Sequence, residues 1–158
     1  MMKTLLIYHS SKPAVRAMCE ATAADDVDVL ELRPRYKKRP VFDNAVDSYR
    51  ALSGRGIRLA PLDIDFSKYE SIMIVDSLCM NSPSAECNEF LYRCDLSGRE
   101  VTCIVCNRLR IFNRSARLLR KRIRLAGGNC RGITFIAESD LARQEETANA
   151  FSLIETEA

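Results

Sequence analysis

The sequence predicts an α/β domain whose doubly wound sheet has five parallel strands in the order 2-1-3-4-5, with helices on both faces. Five short apolar runs bounded by turn residues alternate with segments of helical periodicity. The first run, at residues 3–8, contains four consecutive apolar residues from Leu5 to Tyr8, as expected of a strand covered on both faces. The length of 158 residues suits one domain, and no repeat or linker divides it. We therefore expect residues 1–158 to form a single domain.

Strands and helices are predicted in strict alternation. The strands are residues 3–8, 27–32, 71–76, 100–106 and 131–137. Helical patterns cover residues 13–24, 43–53, 83–93 and 113–126, and a last helix, capped by Ser139 or Asp140, runs to residue 154. Pro13 suits a first helical turn, whereas Gly54 and the Gly127-Gly128 pair are stop signals. Because polar and apolar residues alternate in 27–32, this strand is predicted to be half-covered or to lie at the sheet edge.

The distribution of apolar residues bears on the compartment. No window offers the roughly 18 uninterrupted apolar residues that a membrane span requires. The apolar run near residue 5 is too short for a signal peptide and lacks a cleavage site. A cytoplasmic protein without a membrane partner is therefore expected.

The cysteines are numerous, but their spacing is not that of a disulfide framework or a metal site. They are Cys19, Cys79, Cys87, Cys94, Cys103, Cys106 and Cys130. In a reducing compartment we expect free thiols, most of them serving as small buried apolar residues. Cys103 and Cys106 have redox-motif spacing, but they lie in a predicted strand and should point to opposite faces.

Four segments resemble the flavodoxin family. Residues 3–10 (Lys-Thr-Leu-Leu-Ile-Tyr-His-Ser) resemble its opening strand and the start of its phosphate loop. Residues 65–75 resemble the approach to its third strand. Residues 76–83 with Phe90-Leu91 match its Ser-Pro-x-Trp-x-Gly-x-Pro…Phe-Leu segment in length and outline, and residues 95–101 resemble the entry to its fourth strand. The resemblance spans most of the chain and implies a flavodoxin-like fold.

The resemblance also implies where FMN would bind. Ligands of such sheets lie beyond the C-terminal strand ends, here residues 9–15, 76–84 and 107–113. The candidate cofactor-binding residues are Ser10, Ser11, Lys12, Ser77, Leu78, Cys79, Met80, Asn81, Asn107 and Arg108.

These loops depart from the family's pattern. Where the family has a Thr-x-Thr-Gly-Asn-Thr phosphate loop, this chain has Lys12, Pro13, Ala14 and Val15 at its last four positions. Proline has no N–H to donate and cannot adopt glycine's other conformations. The aromatic residue that commonly stacks on the flavin corresponds to Cys79, and the following glycine to Asn81. Met80 could lie against a flat ring, and bulky residues fill the third loop.

No catalytic or metal-binding residue is assigned. His9, the only histidine, lies at a strand end where sites form, and it is the best candidate for a titrating group. Without a second histidine or an identifiable cluster of ligands, a hydrogen-bonded loop histidine is the interpretation we favour.

Residues 108–124 carry eight basic residues and no acidic one. On a helix, Leu118, Leu119, Ile123 and Ala126 form the buried stripe, which leaves Arg114, Arg117, Lys121 and Arg124 on one exposed strip. The strip is either a solvated face, partly neutralised by the acidic last helix, or a surface for an acidic protein partner. Nucleic acid is not expected, because no recognised binding motif accompanies these arginines.

Two functions of different class follow. In the first, the chain has lost tight FMN binding and serves as an interaction or accessory module. In the second, it is an FMN-binding electron-transfer or oxidoreductase protein that uses unusual loops. The altered loops favour the first function.

Overall fold

The computed structural model describes residues 2–10, 12–37, 39–109 and 111–141. Its strands form one parallel sheet in the order β2-β1-β3-β4-β5, which confirms the predicted fold class. They are β1 (Thr4–His9), β2 (Val27–Glu31), β3 (Ser71–Ser77), β4 (Glu100–Asn107) and β5 (Asn129–Ala137). Strand β1, with its apolar residues Leu5 to Tyr8, lies inside the sheet, and the alternating β2 lies at its edge, as predicted.

The helices connect these strands. They are α1 (Pro13–Ala21), α2 (Pro40–Leu52), α3 (Ala85–Arg93), α4 (Asn113–Leu125) and α5 (Glu138–Leu141). A short 3-10 turn at Phe66–Lys68, which the sequence analysis did not predict, precedes β3. No helix in the described ranges is both long and apolar enough to cross a bilayer.

Several predicted boundaries need correction. Helix α2 begins at Pro40 rather than at Asp43, whose carboxylate accepts a hydrogen bond from the backbone N–H of Arg39. The cap of α3 is Ser84, whose hydroxyl accepts the Cys87 N–H, so the helix begins two residues later than expected. The last helix begins at Glu138, directly after β5, so neither Ser139 nor Asp140 is its cap. Its predicted continuation to residue 154 lies outside the described residues.

The core consists of two apolar clusters on opposite faces of the sheet. Leu5 and Ile7 of β1 pack in one cluster with residues of α3 and α4, and Leu6 and Tyr8 pack in the other with residues of α1. Cys103 belongs to the first cluster and Cys106 to the second, which confirms that the two thiols face away from each other. All seven cysteines are free thiols.

Candidate functional site

The candidate site lies where the C-terminal ends of the parallel strands meet. Because β1, β3 and β4 are adjacent and run in the same direction, the loops that follow them converge at one rim. Residues of all three predicted loops make contact there. Ser11 and Arg110 lie outside the described residues, so the site is built from the remaining candidates.

The first loop uses its polar groups internally. The Ser10 hydroxyl lies 2.8 Å from the Ser77 hydroxyl and accepts the Lys12 backbone N–H at 2.9 Å. The Lys12 ammonium lies 3.8 Å from a carboxylate oxygen of Glu138. Helix α1 then begins at Pro13 without any side-chain cap. The loop's hydroxyl, one of its amides and its only described cation therefore already have protein partners.

Val15, which occupies the place of the family's last phosphate-loop threonine, belongs to the core. Its side chain is 0% exposed and packs in the cluster of Leu6 and Tyr8. A hydroxyl at this position would be buried among apolar groups.

The second loop contains a tight turn with an unusual backbone. Cys79 and Ser82 exchange two backbone hydrogen bonds of 2.8 and 2.9 Å, with Met80 and Asn81 between them at φ of 50° and 58°. Two positive φ values in succession are typical of a type I′ turn. Asn81 stands where the family has glycine, and asparagine is among the residues that tolerate this conformation best. The Met80 side chain is 61% exposed.

The third loop is joined to the second by one buried amide. The Asn107 side-chain N–H₂ donates to the Asn81 side-chain carbonyl at 2.7 Å and to the Ile111 backbone carbonyl at 3.1 Å. Its own carbonyl accepts the Arg108 backbone N–H at 2.9 Å. The two loops between which the family resemblance would place a flavin ring are thus hydrogen-bonded to each other.

A polar cleft of about 280 Å³ opens at this rim. Leu78 and Cys79 line it, and the Cys79 thiol lies 3.6 Å from the Ser48 hydroxyl of α2. Its ionisable lining consists of Lys12 and His9 with three carboxylates, those of Asp47, Glu86 and Glu138. With a neutral imidazole, negative charge therefore exceeds positive charge in a protein whose formal net charge is +3.

His9 pairs with a buried carboxylate that the sequence did not reveal. Its Nε2 lies 3.3 Å from a carboxylate oxygen of Glu86, whose side chain is 3% exposed, and its Nδ1 lies 3.5 Å from the Leu32 carbonyl. These contacts agree with the interpretation of His9 as a hydrogen-bonded residue, but His9 is the last residue of β1 rather than a loop residue. Among the described residues, no three His, Cys, Asp or Glu side chains are grouped so that they could hold a metal ion.

Asp76 lies beneath this pair, buried at the end of β3. Its carboxylate accepts the Ser84 backbone N–H at 2.9 Å and the Ser84 hydroxyl at 2.6 Å. Burial raises the pKa of the Asp76 carboxyl to about 7, and the two Ser84 hydrogen bonds act in the opposite direction. Asp76 thereby fixes the cap of α3, the helix that carries Glu86 into the cleft.

Six of the seven thiols are not activated as nucleophiles. Burial raises the pKa of six of them, so they stay protonated at neutral pH. The six are Cys19, Cys87, Cys94, Cys103, Cys106 and Cys130.

Helix α4 presents the basic strip that the sequence predicted. Arg114, Arg117, Lys121 and Arg124 are all exposed, and Leu119 and Ile123 are buried. Arg114 also reaches the rim, where it donates to the Ser82 hydroxyl at 3.1 Å.

The interior position of Arg122 was not foreseen. It is 8% exposed, donates to the Asn88 side-chain carbonyl and lies 5.9 Å from the centre of the Tyr92 ring. The suggestion that the acidic last helix neutralises α4 gains no support from Glu138, which pairs with Lys12 instead.

No family model and no curated protein matches the chain. Solved structures do. A protein from Bacteroides eggerthii DSM 20697 superimposes with a TM-score of 0.70 at 14% identity, over 92% of this chain and 97% of its own. A flavoprotein from Lactobacillus acidophilus NCFM, in complex with FMN, gives 0.65 at 14% identity over 90% and 98%. General stress protein 14 from Treponema denticola, in complex with FMN, gives 0.63 at 14% identity over 99% of each chain. At identities this low, the superpositions show the fold alone. This chain has the flavodoxin-like fold that its sequence motifs indicated.

Proposed function

We propose that this chain is a flavodoxin-like interaction module that does not bind FMN tightly and that docks an acidic protein partner through helix α4. The observation that carries the proposed absence of tight FMN binding is that the hydrogen-bond donors of the first loop already bond to other groups of the protein. The Ser10 hydroxyl bonds to Ser77, the Lys12 amide bonds to Ser10, and the Lys12 ammonium faces Glu138. A phosphate would have to displace these partners before it could be held.

The charge of the cleft and the loop contacts argue in the same direction. Three carboxylates line the cleft beside Lys12 and His9. Each carboxylate already lies beside a basic side chain, so a phosphate dianion would have to compete with a carboxylate for its partner. A ring entering between the second and third loops would have to break the Asn107–Asn81 hydrogen bond. Hydrogen bonds to a charged group contribute about 1.5–3 kcal/mol each, so three missing phosphate donors weaken binding by roughly three to six decades. The residues present therefore do not fit FMN in the way the resemblance implies.

The decisive experiment is a titration of the purified protein with FMN, followed by quenching of flavin fluorescence. We expect no quenching at micromolar concentrations. A matched variant should restore binding: Lys12→Thr, Pro13→Gly and Ala14→Asn supply loop donors, and Glu138→Gln removes the nearest negative charge. Val15 is left unchanged because it is a core residue. Micromolar or tighter binding by the unaltered protein would refute the lost-site proposal.

That outcome would favour the second candidate, an FMN-binding electron-transfer or oxidoreductase protein. Its specific support is that two of the superimposed structures, those from L. acidophilus and T. denticola, contain FMN.

The docking half of the proposal rests on the exposed cations of α4. Arg117, Lys121 and Arg124 are exposed and form no ion pair within 4.0 Å with any described carboxylate. When the purified protein is used to capture partner proteins from a cell extract, charge reversal of these three residues to Glu should abolish their retention. Reversal of three other exposed cations, Arg16, Lys68 and Arg131, is the control. Identical retention by both triple variants would show that the strip is merely solvated. Arg114 is left intact because it supports the rim loop.

A further inference from the structure

A groove of about 560 Å³ lies between helix α2 and Glu89 of α3. Arg58, one of its lining residues, belongs to an antiparallel pair of chain segments, in which Arg35 N–H donates to the Arg58 carbonyl and Ala60 N–H donates to the Arg33 carbonyl, both at 2.8 Å. Tyr36, Arg39, Phe42, Arg50 and Arg58 are among the residues that line it. We call this surface the α2 groove.

The segment that builds the α2 groove is strongly basic. Residues 33–58 contain eight Lys and Arg residues but only two acidic ones, so they carry twice the net positive charge of the whole chain. Both acids are engaged, Asp43 with Arg39 and Asp47 with Arg50, each at 3.6 Å.

Three further arginines of this segment, Arg35, Arg55 and Arg58, are exposed and form no ion pair with any described carboxylate. Positive charge of this density attracts a polyanion.

Exposed aromatic rings are interleaved with these arginines. Phe42 is 62% exposed, Tyr49 59% and Tyr36 41%. The Arg39 guanidinium lies 4.9 Å from the centre of the Phe42 ring, and that of Arg55 lies 5.9 Å from the centre of the Tyr49 ring. A single exposed ring is unremarkable on a protein surface. Several exposed rings among exposed arginines form the combination that binds single-stranded nucleic acid, in which bases stack on the rings and cations neutralise the phosphates.

We propose that the α2 groove, together with the exposed Tyr49 and Arg55 next to its lining residues in the chain, binds single-stranded nucleic acid, with bases stacked on Phe42 and Tyr49 and phosphates neutralised by Arg39, Arg55 and Arg58. Nucleic acid was not expected from the arginine run of α4, because no known motif accompanies it. The α2 groove is a different surface, and its combination of charge and exposed rings is the new observation. An acidic protein would satisfy the charge but leave the ring faces without planar partners. The inference goes beyond the proposed function and depends neither on FMN nor on the α4 strip.

The test is fluorescence anisotropy of the full chain with a labelled 12-nucleotide oligothymidylate at several salt concentrations. Neutralisation of three phosphates predicts that log K falls with log salt with a slope of about −2. Double substitution Arg55→Ala and Arg58→Ala should lower the affinity and make this slope shallower by about 0.7 for each phosphate that is no longer neutralised. Phe42→Ala and Tyr49→Ala should each lower the affinity about 5- to 150-fold while leaving the slope unchanged.

Three controls make the result specific. Arg131→Ala removes an exposed cation at the opposite edge of the sheet and should leave the affinity within about twofold of the unaltered protein, since Arg131 lies outside the groove. Far-UV circular dichroism checks that the Phe42 and Tyr49 variants fold. Thymidine monophosphate tests whether a single nucleotide suffices.

Several outcomes would overturn the proposal. These are the absence of oligonucleotide binding at low salt, equal binding of the mononucleotide, or an affinity that is insensitive to Phe42 and Tyr49. Effective competition by poly-L-glutamate at equal charge would assign the surface to an acidic protein instead.

Discussion

The buried carboxyl of Asp76 makes a prediction about stability that can be worked out from its surroundings. Its pKa is about 7 in the folded protein, whereas the ordinary pKa of an aspartate, which applies to the unfolded chain, is 3.8. The folded state therefore retains a proton that the unfolded state has lost between these pH values. Stability contributed by the protonated carboxyl is complete below pH 3.8 and is lost as the pH rises through about 7.

The size of the effect follows from the two pKa values. The full difference corresponds to about 4 kcal/mol at 1.36 kcal/mol per pH unit. Between pH 5 and pH 8 the linkage relation gives a loss of about 2–3 kcal/mol. Salt bridges elsewhere change stability in the opposite direction as carboxylates ionise, so a comparison with a variant isolates the contribution of Asp76.

The variant is Asp76→Asn, which keeps the shape and removes the titration. The Ser84 N–H can still donate to the amide oxygen, and the Ser84 hydroxyl can turn to accept from the new N–H₂ group. Urea unfolding followed by far-UV circular dichroism at pH 5, 6, 7 and 8 gives the free energies. We expect the stability of the variant relative to the unaltered protein to rise by about 2–3 kcal/mol from pH 5 to pH 8.

Asp95→Asn is the matched control. Asp95 accepts the backbone N–H and the hydroxyl of Ser97 at 2.9 and 2.5 Å, the same pair of groups that Ser84 offers to Asp76. It is exposed, and these hydrogen bonds lower its pKa. Its replacement should therefore leave the pH dependence between 5 and 8 unchanged. Parallel curves for the Asp76→Asn and unaltered proteins would refute the reasoning, because they would mean that Asp76 is ionised throughout this range.

Three further predictions concern the turn, the buried arginine and the thiols. Met80→Gly should stabilise the fold by about 0.5–1 kcal/mol, because the energy gained by relieving the strained positive φ exceeds glycine's entropic cost. Leu109→Gly, at an exposed position without positive φ, should destabilise the fold in the same urea denaturation assay. Arg122→Ala should lower the free energy of unfolding by about 1–3 kcal/mol, since it leaves the buried Asn88 side-chain carbonyl unsatisfied. Replacement of the exposed Arg120 by Ala should change it by less than about 0.5 kcal/mol. Equal losses of stability would contradict a structural role for the buried Arg122. Thiol counting under denaturing, non-reducing conditions should find seven free thiols, and a reproducible deficit of two would reveal a disulfide.

The fold could be predicted because its signals are local. Each buried strand contains a short apolar run, and Leu5 to Tyr8 of β1 are consecutive buried apolar residues because both faces of the strand are covered. Helix boundaries were less accurate where the cap depends on neighbouring geometry. Ser84 caps α3 because Asp76 holds it in place, and nothing in the local pattern distinguishes Ser84 from Ser82.

The site was only partly predictable because its contacts join residues far apart in the chain. The sequence identified Ser10, Ser77, Asn81 and Asn107 as rim residues. It could not show that Ser10 bonds to Ser77, 67 positions away, or that Asn107 bonds to Asn81. These contacts depend on strand register, which brings Tyr8 beside Val75 and Ser77 beside Cys106. The composition of residues 33–58 did indicate a basic surface with aromatic residues, because eight basic residues and three aromatic residues occur together there.

The distribution of charge is a second line of support for the proposal that this chain does not bind FMN tightly. A fold of this kind places ligands at the C-terminal rim whatever their chemistry, and the rim chemistry then selects the ligand. Here the rim cleft contains Asp47, Glu86 and Glu138, whereas the unpaired cations lie on the outer surfaces of α2 and α4. On the proposed function, the cleft disfavours an anionic cofactor, and the open helix faces attract anionic partners. The same separation explains how a flavodoxin-like chain can be basic overall and still have an acidic rim.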